Sequence, residues 1–267
     1  NYFTWNTSTG ITKNISDKIK EPLYDVENDV PDYPSPAGVT GWTENDRYFF
    51  INDVYDIWQT DPEGAELPLN ITNGFGKKNK TDFTSVNLDR EKRFINAGEN
   101  ILLRSQNKTS KYGSFFTKKI NEAGDPVLIT TGPFSFGNPV KAKDAVQYII
   151  QRSDVSKSEM YTTSDLKNLT GLTDIAAQQK DYNWLTSELV KWKMFDGKMS
   201  EGLLFKPENF DPKKKYPVIF YFYERNADGL YAYRGPAPSA STVNIAYFVS
   251  NGYLVFDPNI YYKDGEP

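Results

Sequence analysis

The sequence predicts a mainly β fold, made of about three blades of an incomplete β-propeller followed by the opening strands of an α/β domain. Aromatic residues form 15% of the 267 residues, and aromatic side chains favour the half-buried surfaces of β-sheets. A strand pattern recurs in the first two thirds of the chain, and continuous apolar runs follow residue 180. The recurring pattern accounts for the blades, and the apolar runs account for the α/β strands.

An internal repeat occupies the first part of the chain. An aromatic strand, a polar turn and a short strand ending in Ile or Leu followed by Thr or Ser occur four times. The endings are Ile15-Ser16, Ile71-Thr72, Ile129-Thr130 and Leu172-Thr173. Their spacings of 56, 58 and 43 residues suit four-stranded blades of about 40–50 residues. Because propellers close with about four to eight blades, we expect further blades before Asn1. The alternative is a β-sandwich whose strand endings are similar by coincidence.

Further strands are expected between successive copies of the repeat. The segments 41–43 and 48–51, joined by the polar turn 44–46, predict one such hairpin. We expect Asp56 and Asp61 to satisfy backbone groups of a blade rather than to perform acid–base chemistry. The basic run 77–80 predicts a solvated turn.

The pattern changes near residue 180. The segment 188–206 predicts a β-hairpin, because Asp196-Gly197 is a strong two-residue turn signal. The apolar run 218–223 predicts a strand buried on both faces. A short helix is predicted within 242–250, ended by Asn251-Gly252, and a further strand follows at 253–256. This order is how a doubly wound α/β domain begins, and a sheet of so few strands is expected to be incomplete.

Composition excludes several kinds of site. The chain contains no cysteine and no histidine, which removes disulfides, thiolate metal sites and a Ser-His-Asp triad from these residues. The net charge of −4 with mixed signs argues against a nucleic-acid partner, and no apolar run reaches the roughly 18 residues that span a membrane. Residues 25–29 resemble the start of a calcium loop, but Val30 and Pro36 stand where such a loop needs Gly and Glu. We therefore predict no metal and no cofactor.

The second part of the chain resembles the prolyl oligopeptidase family, particularly its dipeptidyl-peptidase-like branch. The residues that carry this resemblance are Trp184, Glu188, the Asp196-Gly197 turn, Gly202-Leu203-Leu204-Phe205-Lys206-Pro207, the strand after Tyr216-Pro217, Asn251-Gly252-Tyr253 and Val255-Phe256-Asp257. The resemblance implies that residues 1–180 are propeller blades and that 181–267 are the N-terminal part of an α/β-hydrolase catalytic domain that continues beyond this sequence.

The resemblance also implies a function. It implies a fragment of a serine peptidase that hydrolyses peptides, with the propeller gating access to a Ser-His-Asp site. No serine here lies in the Gly-x-Ser-x-Gly pattern of the nucleophile, so the triad is expected beyond residue 267, and we expect no hydrolase activity from these residues alone. The alternatives are a propeller that binds a partner without chemistry and an inactive family member.

One active-site group is expected within the chain. The family places a tyrosine oxyanion-hole donor at the end of the strand that follows Tyr-Pro, and by strand spacing this is Tyr223. The rival is Tyr233, because Tyr233-Arg234-Gly235-Pro236 resembles the family's Tyr-x-Gly-Pro and would imply a loop inserted at 224–234. Tyr223 could also be an ordinary aromatic residue at a strand end. Asp257-Pro258-Asn259 stands where relatives often carry Asp-x-Arg-Gly, so an active-site arginine is missing from this position.

The resemblance extends to partners and location. It implies a peptide substrate and a periplasmic or secreted protein. It allows a homodimer of the parent protein. The mixed charges of the chain, and not the resemblance, predict no nucleic-acid or membrane partner.

Overall fold

A computed structural model describes residues 1–28, 32–122, 124–223, 225–238 and 241–261. The chain divides into two compact units, one of residues 1–132, 138–147 and 165–167, and one of residues 133–137, 148–164 and 168–267. The second unit holds sheets from both sides of residue 180, and the domain boundary at that point stays a prediction.

Strands are the main element of the described residues. In chain order they are β1 (Phe3–Trp5), β2 (Thr12–Asn14), β3 (Val39–Trp42), β4 (Phe49–Asn52), β5 (Ile57–Thr60), β6 (Leu69–Asn70), β7 (Thr81–Val86), β8 (Asn100–Asn107), β9 (Gly113–Lys119), β10 (Val127–Gly132), β11 (Ser135–Phe136), β12 (Val140–Lys141), β13 (Tyr148–Ser153), β14 (Ser158–Thr163), β15 (Thr170–Gly171), β16 (Leu185–Lys193), β17 (Met199–Pro207), β18 (Val218–Phe220) and β19 (Leu254–Pro258). The helices are α1 (Phe75–Asn79) and α2 (Ile245–Ser250), and short 3-10 helices cover Glu44–Asp46, Ile175–Gln179 and Ala227–Gly229.

The first unit contains two sheets built like propeller blades. Their strand orders are β3-β4-β5-β6 and β7-β8-β9-β10, and every neighbouring pair is antiparallel. Strands β1 and β2 form a further antiparallel pair. The predicted hairpin is confirmed, with β3 and β4 joined through the turn Glu44–Asp46. Each sheet is a simple meander, as expected from a repeat of strand, turn and strand.

The two meander sheets share one hydrophobic core. Its buried members from the first sheet and the turn after it are Phe50, Ile57 and Ile71, and those from the second sheet and the turn after β9 are Phe83, Ile101, Leu103, Phe116 and Ile120. The rings of Phe83 and Phe116 meet edge to face, with centroids 5.2 Å apart. A blade has too little apolar surface to fold alone, so this shared core stabilises both sheets together.

Two buried carboxylates hold the turns of the first blade. Asp56 accepts hydrogen bonds from Thr72 Oγ1 at 2.6 Å and from the backbone N–H groups of Gly76 and Lys77 at 3.0 and 3.1 Å. Asp61 accepts three backbone N–H bonds at 2.8–3.0 Å from residues 63–66. The expectation that these residues satisfy the backbone is confirmed. Residues 77–80 are exposed, as predicted. The predicted turn is wrong in part, because residues 77–79 belong to the short helix α1, whose first N–H groups Asp56 accepts.

The second unit contains a blade-like sheet and a mixed sheet. The first has the antiparallel order β11-β13-β14-β15. The mixed sheet has the order β16-β17-β19-β18. The predicted hairpin is confirmed as β16 and β17. The two-residue turn is wrong, because the Met194 N–H donates to the Lys198 carbonyl oxygen and leaves a three-residue loop, 195–197, in which Gly197 has a φ of +86°. Strands β18 and β19 are parallel, as an α/β domain requires.

Helix α2 covers one face of the mixed sheet. The buried residues of this core are Leu185, Leu203, Phe205, Leu230, Ile245, Ala246, Val249 and Val255. Ile219 of β18 packs against it, whereas Val218 and Phe220 are 46% and 64% exposed. The prediction that 218–223 is buried on both faces is therefore wrong for the described residues, because they cover only one face of β18.

Neither helix of the described residues is long and apolar enough to cross a bilayer.

Replacing Gly202 should destabilise the second unit. A Cβ atom there would lie 2.6 Å from Pro258 Cα and 2.8 Å from the Asp257 carbonyl oxygen, so β17 and β19 would have to separate. We expect Gly202→Ala to lower the free energy of unfolding by about 1–3 kcal/mol, measured by urea denaturation. The control is Gly171→Ala, because Gly171 has only one atom nearby, at 4.0 Å. Equal stability of the two variants would contradict the close approach.

The stability contributed by Asp61 should depend on pH. Burial tends to raise the pKa of this carboxyl, but hydrogen bonds from the Glu63, Glu66 and Ala65 N–H groups hold it below the ordinary 3.8. Its contribution is therefore present above pH 3.8 and is lost as pH falls through the lower, folded-state pKa. We expect Asp61→Asn to cost about 1–3 kcal/mol of unfolding free energy at pH 7 and less at pH 3.

The exposed Asp17, paired only with the neighbouring Lys18 in the ion pairs of the described residues, provides the control. Asp17→Asn should change the unfolding free energy by less than about 0.5 kcal/mol at either pH. A cost of Asp61→Asn that is the same at pH 7 and pH 3 would show that its charge does not matter.

Candidate functional site

The candidate site lies at the carboxyl edge of the parallel pair β18 and β19. Val218 pairs with Leu254 and Phe220 with Phe256, and the Tyr221 N–H donates to the Phe256 carbonyl oxygen at 2.9 Å. Parallel strands place their carboxyl ends at the same edge, which is where α/β sheets bind ligands. β18 ends at Phe220, so Tyr223 lies three residues beyond the strand and not at its end, where the sequence had predicted it. Asp257 lies in β19.

Tyr223 is largely exposed in the segment that follows β18. Its side chain is 70% exposed, and within the described residues its hydroxyl has no hydrogen-bond partner. A hydroxyl in this position can donate a hydrogen bond to a molecule that approaches the edge. The role predicted for Tyr223 remains a prediction.

Tyr233 has different surroundings. Its hydroxyl oxygen accepts a hydrogen bond from Gln179 Nε2 at 2.8 Å, and its ring stacks on Trp184 with centroids 5.9 Å apart and planes 15° apart. A cleft of about 840 Å³ opens beside this stack and is also lined by Tyr247 of α2. Tyr223 is not among the residues that line this cleft. The two candidate tyrosines therefore face different parts of the second unit.

The loop after Tyr223 is fastened to the end of β19. Asn226 Nδ2 donates to Asp257 Oδ1 at 3.2 Å, and the Ala227 N–H donates to Asn259 Oδ1 at 3.0 Å. The Asn259 N–H in turn donates to the Glu201 carbonyl oxygen at 2.9 Å. These bonds connect the loop to β19 and β17, so the edge that carries Tyr223 is tied to the centre of the sheet.

A buried carboxyl and a buried guanidinium lie in this region. Asp257 is 1% exposed. Burial raises its pKa, while the hydrogen bond from Asn226 and the positive charge of Arg234 act in the opposite direction. Burial also lowers the pKa of the Arg234 guanidinium, against the charge of Asp257. Arg234 lies over the ring of Phe205, 5.5 Å from its centroid.

The positive charge of Arg234 lies close enough to Asp257 to act on the pKa of its carboxyl. The position after Asp257-Pro258 holds Asn259 rather than Arg, but Arg234 acts on the same carboxyl from the loop. Sequence reasoning missed Asn226, Arg234 and Asn259 as partners of this strand end. The only available signal was Arg234 itself, within the motif that made Tyr233 the rival.

The described residues contain no group of three or more His, Cys, Asp or Glu side chains placed to hold a metal ion. Of the segment compared with a calcium loop, residues 29–31 lie outside the described residues.

Solved structures share this fold. Dipeptidyl peptidase 4 from Porphyromonas gingivalis superposes with a TM-score of 0.57 and 18% identity, over 82% of this chain and 30% of that one. The isopeptidase AtxE2 gives 0.53 and 11%, over 97% and 37%. A post-proline cleaving enzyme from Rickettsia typhi gives 0.51 and 12%, over 86% and 33%.

The chain has the prolyl oligopeptidase fold. The predicted fold class is confirmed: the described residues are mainly β, with antiparallel sheets consistent with part of a propeller, followed by a mixed sheet. It spans about a third of the length of the peptidases with this fold that it matches. No protein-family model matches the sequence, and no curated protein matches it either.

Loss of the hydroxyl should affect the free energy of unfolding differently at the two candidate tyrosines. Tyr233→Phe removes the acceptor of Gln179, so we expect it to lower the free energy of unfolding by about 0.5–1.5 kcal/mol. Tyr223→Phe removes an exposed hydroxyl and should change it by less than about 0.5 kcal/mol. Urea denaturation of the two variants makes the comparison, and a larger cost at Tyr223 would show that its hydroxyl has a structural role.

Proposed function

We propose that this chain is part of a serine peptidase and that Tyr223 is the side-chain donor of its oxyanion hole. In this proposal the propeller-type sheets gate the access of peptides. The nucleophile, acid and histidine of the triad lie outside the 267 residues, which contain no histidine. The observation that carries the proposal is the exposed hydroxyl of Tyr223 at the carboxyl edge of β18 and β19.

The chemistry needs a donor at such a place. When a serine attacks a peptide carbonyl, negative charge develops on the carbonyl oxygen, and a hydrogen bond aimed at that oxygen stabilises the transition state. The Tyr223 hydroxyl can donate such a bond without first giving up another partner among the described residues. Tyr233 is less suited, because its ring is held by Trp184 and its oxygen already bonds Gln179.

The solved neighbours support the peptidase class. They are named as a dipeptidyl peptidase, an isopeptidase and a post-proline cleaving enzyme. Their identity to this chain is 11–18%, which supports the fold, so the reaction remains part of the proposal. A peptide substrate and a periplasmic or secreted location belong to the same proposal and rest on the sequence resemblance.

A second candidate is a binding protein without chemistry. The cleft of about 840 Å³ beside Trp184 and Tyr233 favours it, since a cleft of this size can hold a small ligand. A fluorophosphonate probe distinguishes the two candidates, because it labels an activated serine. Labelling of the full-length protein supports the peptidase, and the absence of labelling in a folded sample excludes it.

Tyr223→Phe in the full-length protein should lower kcat by about 10²–10³-fold, the loss typical of one oxyanion-hole donor. KM should change by no more than a few-fold, because the bond forms in the transition state. A Gly-Pro chromogenic peptide serves as substrate, with active sites counted by the fluorophosphonate probe.

The matched control is Tyr233→Phe in the same protein. It should retain kcat to within about tenfold, since its hydroxyl bonds Gln179. A large loss of kcat in Tyr233→Phe together with normal turnover by Tyr223→Phe would transfer the role to Tyr233.

A further inference from the structure

Hydrogen bonds to β19 are found both before and after Tyr223 in the chain. Before it, the Tyr221 N–H bonds the Phe256 carbonyl oxygen at 2.9 Å. After it, Asn226 Nδ2 bonds Asp257 Oδ1 at 3.2 Å. The two acceptors are consecutive residues of one strand. One bond just before Tyr223 and one soon after it, both to consecutive residues of β19, restrict the backbone positions that Tyr223 can take.

We propose that the hydrogen bond between Asn226 and Asp257, here called the latch, positions Tyr223 for catalysis; this inference rests on the proposed function. Asn226 and Asp257 are positioning residues, because they act through Tyr223 and not on the substrate.

Burial of Asp257 makes the loss of the latch costly. Asp257 is 1% exposed, and a buried carboxyl without a donor is costly. Asn226 supplies that donor with its side chain, whereas Arg234 contributes a charge from the far end of the loop. The next residue strengthens the attachment, since the Ala227 N–H bonds Asn259 Oδ1. Asn226 and Ala227 therefore cannot shift without leaving buried polar groups unpaired.

The rest of the loop is held independently. Ser187 Oγ donates to the Leu230 carbonyl oxygen at 2.8 Å, and Leu230 is buried in the core of the second unit. This contact lies further along the chain from Tyr223 than the latch. It therefore offers a matched control, a hydrogen bond that holds the same loop without closing the segment of Tyr223.

Kinetics of the full-length protein test the latch. Asn226→Ala should lower kcat about 10-fold or more, because a misplaced group loses transition-state stabilisation, and KM should stay within a few-fold. Asn226→Asp keeps the shape and faces one carboxylate with another, so it should do the same and serves if Asn226→Ala does not fold. Adding Asp257→Asn to Asn226→Asp exchanges donor and acceptor and should restore most of kcat. Ser187→Ala should keep kcat within about twofold.

A double-mutant cycle shows whether the latch acts through Tyr223. In the Tyr223→Phe background, Asn226→Ala should have little further effect on kcat, since the group it positions has gone. An equal further loss in that background, or no recovery in the exchanged pair, would overturn the proposal.

A spectroscopic measurement separates this inference from the proposed function. With 3-fluorotyrosine at position 223 of the full-length protein, Asn226→Ala should shift or broaden the fluorine NMR line, and Ser187→Ala should leave it unchanged. If Tyr223→Phe leaves kcat intact while the line responds to Asn226→Ala, the proposed function fails and the positioning of Tyr223 stands. An unchanged line in Asn226→Ala overturns the latch whatever the kinetics.

Discussion

The position of every group in the candidate site depends on the double pairing of β19. This strand is hydrogen-bonded to β17 on one side, antiparallel, and to β18 on the other, parallel. Antiparallel contact with β17 is close enough at Pro258 that only a glycine fits opposite, at Gly202. Parallel contact with β18 brings the segment of Tyr223 to the edge where Asp257 lies. One strand therefore sets the distance of the candidate donor from the buried groups that support it.

Local signals in the sequence predicted the elements well. The Asp196-Gly197 pair correctly predicted a hairpin of β16 and β17, but the loop has three residues, 195–197, because the Met194 N–H donates to the Lys198 carbonyl oxygen. Asn251-Gly252 ended α2 as expected, since Gly252 adopts a φ of +85° that suits glycine. The strand repeat also predicted the meander sheets correctly, because in a meander each strand pairs with its neighbour in sequence.

Contacts between distant parts of the chain could not be predicted in this way. Phe220 is exposed because α2 covers the other face of the sheet. The spacing of apolar residues in the sequence does not show which face a helix covers. Likewise the charge of Arg234 acts on Asp257, although a loop and a helix separate the two residues in the sequence. A local pattern of residues does not predict that two such distant side chains lie close together. The sequence named Tyr223 by its distance along a predicted strand, and its role stays a prediction because β18 ends at Phe220, three residues earlier. What it lacked was the set of partners that hold the loop.

A buried polar cluster is an expensive way to attach a loop. Apolar residues of similar size often stabilise a protein as well as a buried pair of charges does, because the charges must first lose their water. Leu230 shows that this loop also uses an apolar anchor. An apolar contact, however, tolerates sliding and rotation, whereas a hydrogen bond between an amide and a carboxyl has a preferred distance and direction. The polar contact at Asn226 lies three residues after Tyr223, and the apolar one lies further along the loop. In the proposal, the directional restraint is therefore the one nearer to the group that makes the transition-state hydrogen bond.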